Sequence, residues 1–242
     1  MKKITVFALL AVLAISLVFS ACGKSSLPVQ IPAQQQTSVM VQEPTPPPMP
    51  EPTPQLQPME IYSDILNRWR TAASERWDME TLDGNGLNYM AAYCYSDDPL
   101  NRLGYLLNDI DGDGIEELLI GSITGDDYQD KIVLQLYTIE NGAPKQVFNS
   151  GERDRYYLCS DRTIANEGSS SAFESCYNYY SYSAGELQLK GSVLFDMAKN
   201  KEQQWFFVMG DNKTNVDEGT ANAKIAEYQA VYIAPQYTPF SQ

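Results

Sequence analysis

The sequence predicts an α+β fold: a helix or helices first, then an antiparallel meandering β-sheet, then a C-terminal helix. Three observations carry this. Apolar residues recur at helical spacing over residues 61–77. Short segments rich in β-branched and aromatic residues, separated by turn signals, run from 103 to 209. Helical spacing then returns over 216–228, before an extended tail at 231–240.

The opening helix is defined by Ile61, Ile65, Leu66, Trp69, Ala72, Ala73 and Trp77, with Arg68, Arg70, Glu75 and Arg76 among the polar positions. Asp83-Gly84-Asn85-Gly86 breaks it, and a second short helix is expected at 87–95, ahead of Pro99. Strands are expected at 103–107, 118–123 and 131–139, the last followed by the turn signal Asn141-Gly142. Residues 145–148 can pair back onto it. Further strands are expected at 156–160, 163–165, 173–183, 187–196 and 205–209. The 16 tyrosines suit half-buried pleated surfaces. The whole segment 59–242 has the length of one domain.

Ahead of this domain the chain reads as an export leader and a spacer. Lys2 and Lys3 precede an apolar run from Ile4 to Phe19, a secretory signal layout too short for a comfortable membrane span. It ends in Phe19-Ser20-Ala21-Cys22-Gly23, which resembles the lipobox of bacterial lipoproteins, with Phe19 where an aliphatic residue is usual. The resemblance implies cleavage after residue 21 and a lipid, diacylglycerol with a palmitate-type acyl chain, on Cys22. More than one chain anchors firmly. The plain alternative is an ordinary signal peptide with Cys22 incidental. Residues 22–58 then form a linker in which Gln34, Gln35 and Gln36 precede a run of prolines; this composition cannot build a core. The expected address is the extracytoplasmic face of the cell membrane. Loss of Lys2 and Lys3 leaves 15 basic against 31 acidic residues, near −16. Such a chain is a poor nucleic-acid ligand, because phosphate contacts need Lys and Arg.

The most informative motif is residues 109–117, Asp-Ile-Asp-Gly-Asp-Gly-Ile-Glu-Glu. Asp109, Asp111, Asp113 and Glu117 occupy positions 1, 3, 5 and 9 of a tight loop, and Ile115 can add its backbone carbonyl. Acids so crowded repel unless a hard cation holds them, and calcium takes six to eight oxygen ligands. Gly114 stands where a sharp turn needs freedom from Cβ strain. An EF-hand requires Glu at position 12 and flanking helices, whereas here position 12 is Ile120 and the flanks read as strands. The expectation is a strand-loop-strand calcium site of structural purpose; a solvated turn without metal is the alternative.

The loop is similar to the D-x-D-G-D-G-x-x-E/D loops of integrin-type and FG-GAP propeller blades, although it occurs once here. With the lipobox and low-complexity spacer, the run Tyr105-Leu106-Leu107-Asn108-Asp109 through Leu118-Leu119-Ile120-Gly121 resembles a group of Gram-positive gut-bacterial lipoproteins carrying a single such loop. Gly151-Glu152-Arg153 and Gly168-Ser169-Ser170 share that likeness. The resemblance implies a calcium-loop lipoprotein and assigns no activity.

The rest of the chain offers weaker chemistry. It has no histidine, which removes Ser-His-Asp and Cys-His catalysis and His-based zinc sites. Asp126, Asp127 and Asp130 read as a charged hairpin end, or as paired acids for glycoside hydrolysis. Asp211–Glu218 has a loose likeness to a second metal loop, spoiled by Lys213; helix capping explains it better. Cys159 and Cys176 can pair across neighbouring strands or remain buried thiols, and Cys94 is left over. Tyr177, Tyr179, Tyr180 and Tyr182 can form a sugar-stacking row, or pack across strands. The expected role is therefore binding or display, for a glycan, peptide or envelope partner. An envelope hydrolase with two carboxylates and a purely structural lipoprotein are the rivals.

Overall fold

The computed structural model describes residues 57–242. The leader, the lipobox with Cys22 and the linker up to residue 56 lie outside the described residues. Among the described residues no helix is long and apolar enough to cross a membrane.

Helix α1 (Pro58–Ile61) leads directly into α2 (Ser63–Glu75), which buries Ile65, Leu66, Trp69, Ala72 and Ala73. The apolar spacing continues to Trp77, but the helix stops at Glu75 because Arg76 adopts the left-handed conformation. Asp78 then caps α3 (Met79–Gly84), accepting from the Thr81 N–H at 2.8 Å. The expected helix at 87–95 is a 3-10 helix, Tyr89–Cys94.

Eleven strands follow in one sheet. They are β1 (Leu103–Asn108), β2 (Glu117–Ser122), β3 (Ile132–Glu140), β4 (Ala143–Asn149), β5 (Asp154–Leu158), β6 (Thr163–Gly168), β7 (Glu174–Ser183), β8 (Glu186–Asp196), β9 (Trp205–Met209), β10 (Asn212–Val216) and β11 (Thr238–Pro239). Every pairing is antiparallel, in the order β10-β9-β8-β7-β6-β5-β3-β2-β1-β11, with β4 added beside β3. The meander is as expected; β10 and the return of the tail as β11 are not. Part of the 211–218 segment is strand, and Asp217 caps α4 (Glu218–Gln229) through the Thr220 N–H at 2.8 Å. β3 is buried along most of its length on both faces rather than on alternate residues.

One face of the sheet packs against α2, α3 and the 3-10 helix through Leu118, Ile120, Ile132 and Leu134. Leu119, Val133, Leu136, Phe148, Ile164 and Tyr182 form a second cluster, and α4 covers a third around Val193. Strands β2 and β7 are four positions apart, about 19 Å in a flat sheet. Asp111, in the loop before β2, nevertheless accepts from the Ala184 N–H just after β7 at 2.6 Å, so the sheet curls. Register shifts at Ile120/Gly121, Leu136/Tyr137 and Tyr179/Tyr180 supply the local bends. The C-terminal tail seals the β1 edge: the Tyr237 ring fills the space that a Cβ on Gly121 would need, and Phe240 stacks on Trp69.

The alternative of a Cys159–Cys176 disulfide is not realised; Cys94, Cys159 and Cys176 are all free thiols. Cys159 pairs backbone bonds with Thr163, which lies opposite Ser181, while Cys176 lies opposite Gly168. The two cysteines are therefore about five residues, or about 16 Å, apart along the sheet, beyond the roughly 7 Å that a bridge tolerates. Burial pushes the Cys94 and Cys159 thiols up to about 11, so neither is a poised nucleophile.

Candidate metal centre

Residues 109–116 connect β1 to β2 across the closing pair Asn108↔Glu117, giving a strand-loop-strand unit. Gly112 and Gly114 both take positive φ, at 82° and 90°. The loop therefore reverses twice at residues without a Cβ. Asp109 organises the turn: its Oδ1 accepts from the Gly112 N–H at 2.7 Å and its Oδ2 from the Gly114 N–H at 3.0 Å.

Asp109, Asp111 and Glu117 present carboxylate oxygens that all lie within 4.8 Å of one another, an arrangement that can hold a metal ion. Asp113 falls outside this set and is exposed; its Oδ1 accepts from the Ile115 N–H at 2.8 Å. Position 5 therefore shapes the turn in this conformation. Ile115 is half-buried, and the loop residue that enters the apolar cluster is Ile110, 1% exposed.

Glu117 is 1% exposed. Its Oε2 accepts from the Ile110 N–H at 3.0 Å and its Oε1 from the Thr138 hydroxyl at 3.1 Å. Burial raises its carboxyl above the ordinary range, those two donors oppose the rise, and the charge of Asp111 adds to it. The buried Tyr182 hydroxyl stands beside this carboxylate, near enough to favour its charged form but short of full hydrogen-bond geometry. Asp111 Oδ2 accepts from the Ala184 N–H at 2.6 Å, bringing the β7–β8 turn onto the loop. The Tyr62 hydroxyl donates to the Glu116 carbonyl at 3.0 Å, tying the helical layer to the same loop.

None of the four ion pairs among the described residues, Lys131–Asp127, Lys145–Glu140, Lys145–Glu186 and Lys224–Glu227, involves the three clustered carboxylates. The Arg162 guanidinium stands against Gly112 without pairing with any of the three. Two full charges at 4.8 Å repel by about 3 kcal/mol at an effective dielectric near 20. An all-oxygen set with that repulsion suits a hard cation.

The linkage sign follows from Glu117. Its folded carboxyl titrates above its unfolded one because burial disfavours the charge. Its contribution to metal-free stability is therefore full below the unfolded value and lost as pH rises through the raised folded value. A bound cation replaces the proton and reverses that loss. Metal stabilisation is expected to grow with pH across this window and to fade below it. Melting curves at pH 4.5 and 7.5, with and without metal, check this, and Glu117→Gln should flatten the dependence.

The remaining expected sites resolve differently. The tyrosine row is not a solvent platform. Tyr182 is 5% exposed and belongs to the cluster of Phe148 and Leu136. Tyr177 and Tyr179 lie under α4, where Tyr179 stacks on Tyr228 with centroids 4.7 Å apart. Tyr180 is half-buried. None of the four is exposed, so cross-strand and helix packing uses the rings. Asp130 accepts from the Thr124 and Gly125 N–H groups at 2.7 and 2.8 Å, Asp126 from the Tyr128 and Gln129 N–H groups, and Asp127 pairs with Lys131. These contacts shape a hairpin end. Sequence reasoning missed Thr138, Tyr182 and Ala184 as neighbours of the loop; nothing local in the chain marks them.

The chain matches no known protein-family model, curated protein or solved structure.

Proposed function

We propose that this chain is a lipid-anchored extracytoplasmic protein whose sheet domain is held by calcium and serves as a binding or display module. The observation that carries the calcium reading is the cluster of Asp109, Asp111 and Glu117, mutually within 4.8 Å and without an ion pair among the described residues. Calcium suits it better than magnesium because it accepts more oxygens in looser geometry. The three carboxylates would supply part of the shell, with the Ile115 carbonyl, Asp113 after a side-chain rotation, or water completing it. An ion here would hold the β1–β2 loop against the β7–β8 turn, because Asp111 already bridges to Ala184. That role is structural.

Binding rather than hydrolysis is supported by the absence of histidine, which removes Ser-His-Asp and Cys-His chemistry, and, against the two-carboxylate rival, by the engagement of Asp126, Asp127 and Asp130 in turn contacts. Lipid anchoring rests on Phe19-Ser20-Ala21-Cys22 and the proline-rich spacer. Fractionation tests it: Cys22→Ser is expected to move the protein from the membrane pellet to the soluble fraction. Unchanged retention would remove the acyl anchor from the reading. Calorimetric titration of the chain with calcium and with magnesium tests the ion, and equal affinity for both would remove the calcium assignment.

A further inference from the structure

The reading of this domain as a binding module leaves open where a ligand would sit. A cleft of about 450 Å³ lies between the Tyr89–Cys94 helix, the start of β3 and the β4–β5 turn. We propose that it binds a small organic carboxylate with an apolar body. This inference rests on the binding-module reading and is independent of both the calcium and the lipid anchor.

The floor is apolar, made by Met90, Ile132 and Leu134. The wall carries Arg153, from the turn ahead of β5, and Arg155, the second residue of β5, both lining the cleft. Neither pairs with a carboxylate among the described residues, although the chain carries a net charge of −14. Arg155 is held in place: it donates to the Tyr128 hydroxyl at 2.6 Å and lies 5.7 Å from that ring's centroid. A guanidinium has five N–H donors, so most of this fork remains available. Bidentate recognition of a planar carboxylate is what such a fork does best.

Two exposed aromatics mark the rim. Tyr93 is 59% exposed and lines the cleft, and Tyr128 is 46% exposed and touches Arg155. Their rings offer flat apolar surface beside the cationic wall. Glu152 also lines the cleft, and its charge opposes an anionic ligand. Its Oε1 is taken by the Tyr93 hydroxyl at 2.5 Å and its backbone N–H by the Tyr89 hydroxyl at 3.1 Å, so it is fixed to the helix side. An apolar floor, a basic wall and aromatic rims together match a ligand of mixed character better than a bare inorganic anion.

Benzoate is the probe, with benzamide as its neutral isostere and inorganic phosphate as the bare anion, each titrated by calorimetry into the calcium-loaded chain. Saturable benzoate binding is expected, at least about tenfold tighter than benzamide or phosphate. Arg153→Ala and Arg155→Ala should each weaken it by about tenfold or more. Glu152→Gln should tighten it several-fold without touching either guanidinium, and it keeps the test decisive if an arginine variant folds poorly. No saturable benzoate binding, equal benzamide affinity, or unchanged affinity in Glu152→Gln would overturn the proposal. The calcium response of the same samples reports on the metal reading separately.

Discussion

Saturating calcium is expected to raise the melting temperature of the chain by about 5–10 °C, and Asp111→Ala to abolish the rise. The magnitude follows from mass action: a ligand at 100 times its dissociation constant stabilises the folded state by about 2.7 kcal/mol, and a domain of this size shifts by about 2–4 °C per kcal/mol. Asp111 is the informative position because it combines one of the three clustered carboxylates with the bridge to Ala184. Asp111→Asn separates the two roles. The amide oxygen still accepts from Ala184, so the turn contact survives, while one charge of the repelling triad is gone. The metal-free melting temperature of Asp111→Asn should match or exceed that of the wild type, and its calcium response should shrink. A wild-type chain that melts at the same temperature with calcium and with chelator would end the metal reading and leave a hydrogen-bonded acidic turn.

Asn88→Ala is expected to destabilise the domain by about 3 kcal/mol, lowering the melting temperature by about 6–12 °C. Asn88 is 0% exposed. Its Nδ2 donates toward the Leu134 carbonyl at 2.9 Å, Asn149 Oδ1 at 2.7 Å and the Ser150 carbonyl at 2.7 Å, and its Oδ1 accepts from the Met90 N–H at 2.9 Å. It therefore caps the 3-10 helix and fastens it to the β3–β4 layer. Truncation leaves the Met90 N–H and at least one carbonyl buried without a partner, at about 1–3 kcal/mol each. The Leu134 carbonyl keeps a second donor in the Ser150 N–H, which limits the loss. Chemical denaturation of the two chains measures the difference directly. A change below about 1 kcal/mol would mean that water or a repacked side chain satisfies these groups. Because this helix also walls the Arg153–Arg155 cleft, the same variant should loosen benzoate binding.

What could be read from the chain alone was local. The order of helix, meander and helix follows from apolar spacing and turn residues within windows of about ten positions. The acidic turn is legible for the same reason: its three clustered carboxylates lie within nine residues, and the glycines between them have few other uses. Even there the reading was coarse, since it could not separate Asp113, which turns outward, from Asp111, or Ile115 from the buried Ile110.

The rest depended on where distant segments come to lie. Ala184 and Tyr182 reach the loop only because the sheet curls, and curl is a sum of bulges and twists over four strand spacings. The tyrosines of β7 alternate identically in a sugar platform and in a core. The landing of α4 on Tyr177 and Tyr179 decided for the core. Cys159 follows β5 and Cys176 lies on β7, with β6 between them, and antiparallel register carries them to opposite ends. Asn88 finds acceptors 46 to 62 residues away. The chain by itself determined an acidic turn between two strands of an α+β domain, because its carboxylates and turn residues share one short segment. Only the tertiary structure decided which side chains surround that turn, which aromatics are buried and where a cleft remains open, because each depends on register and curvature accumulated across the whole sheet.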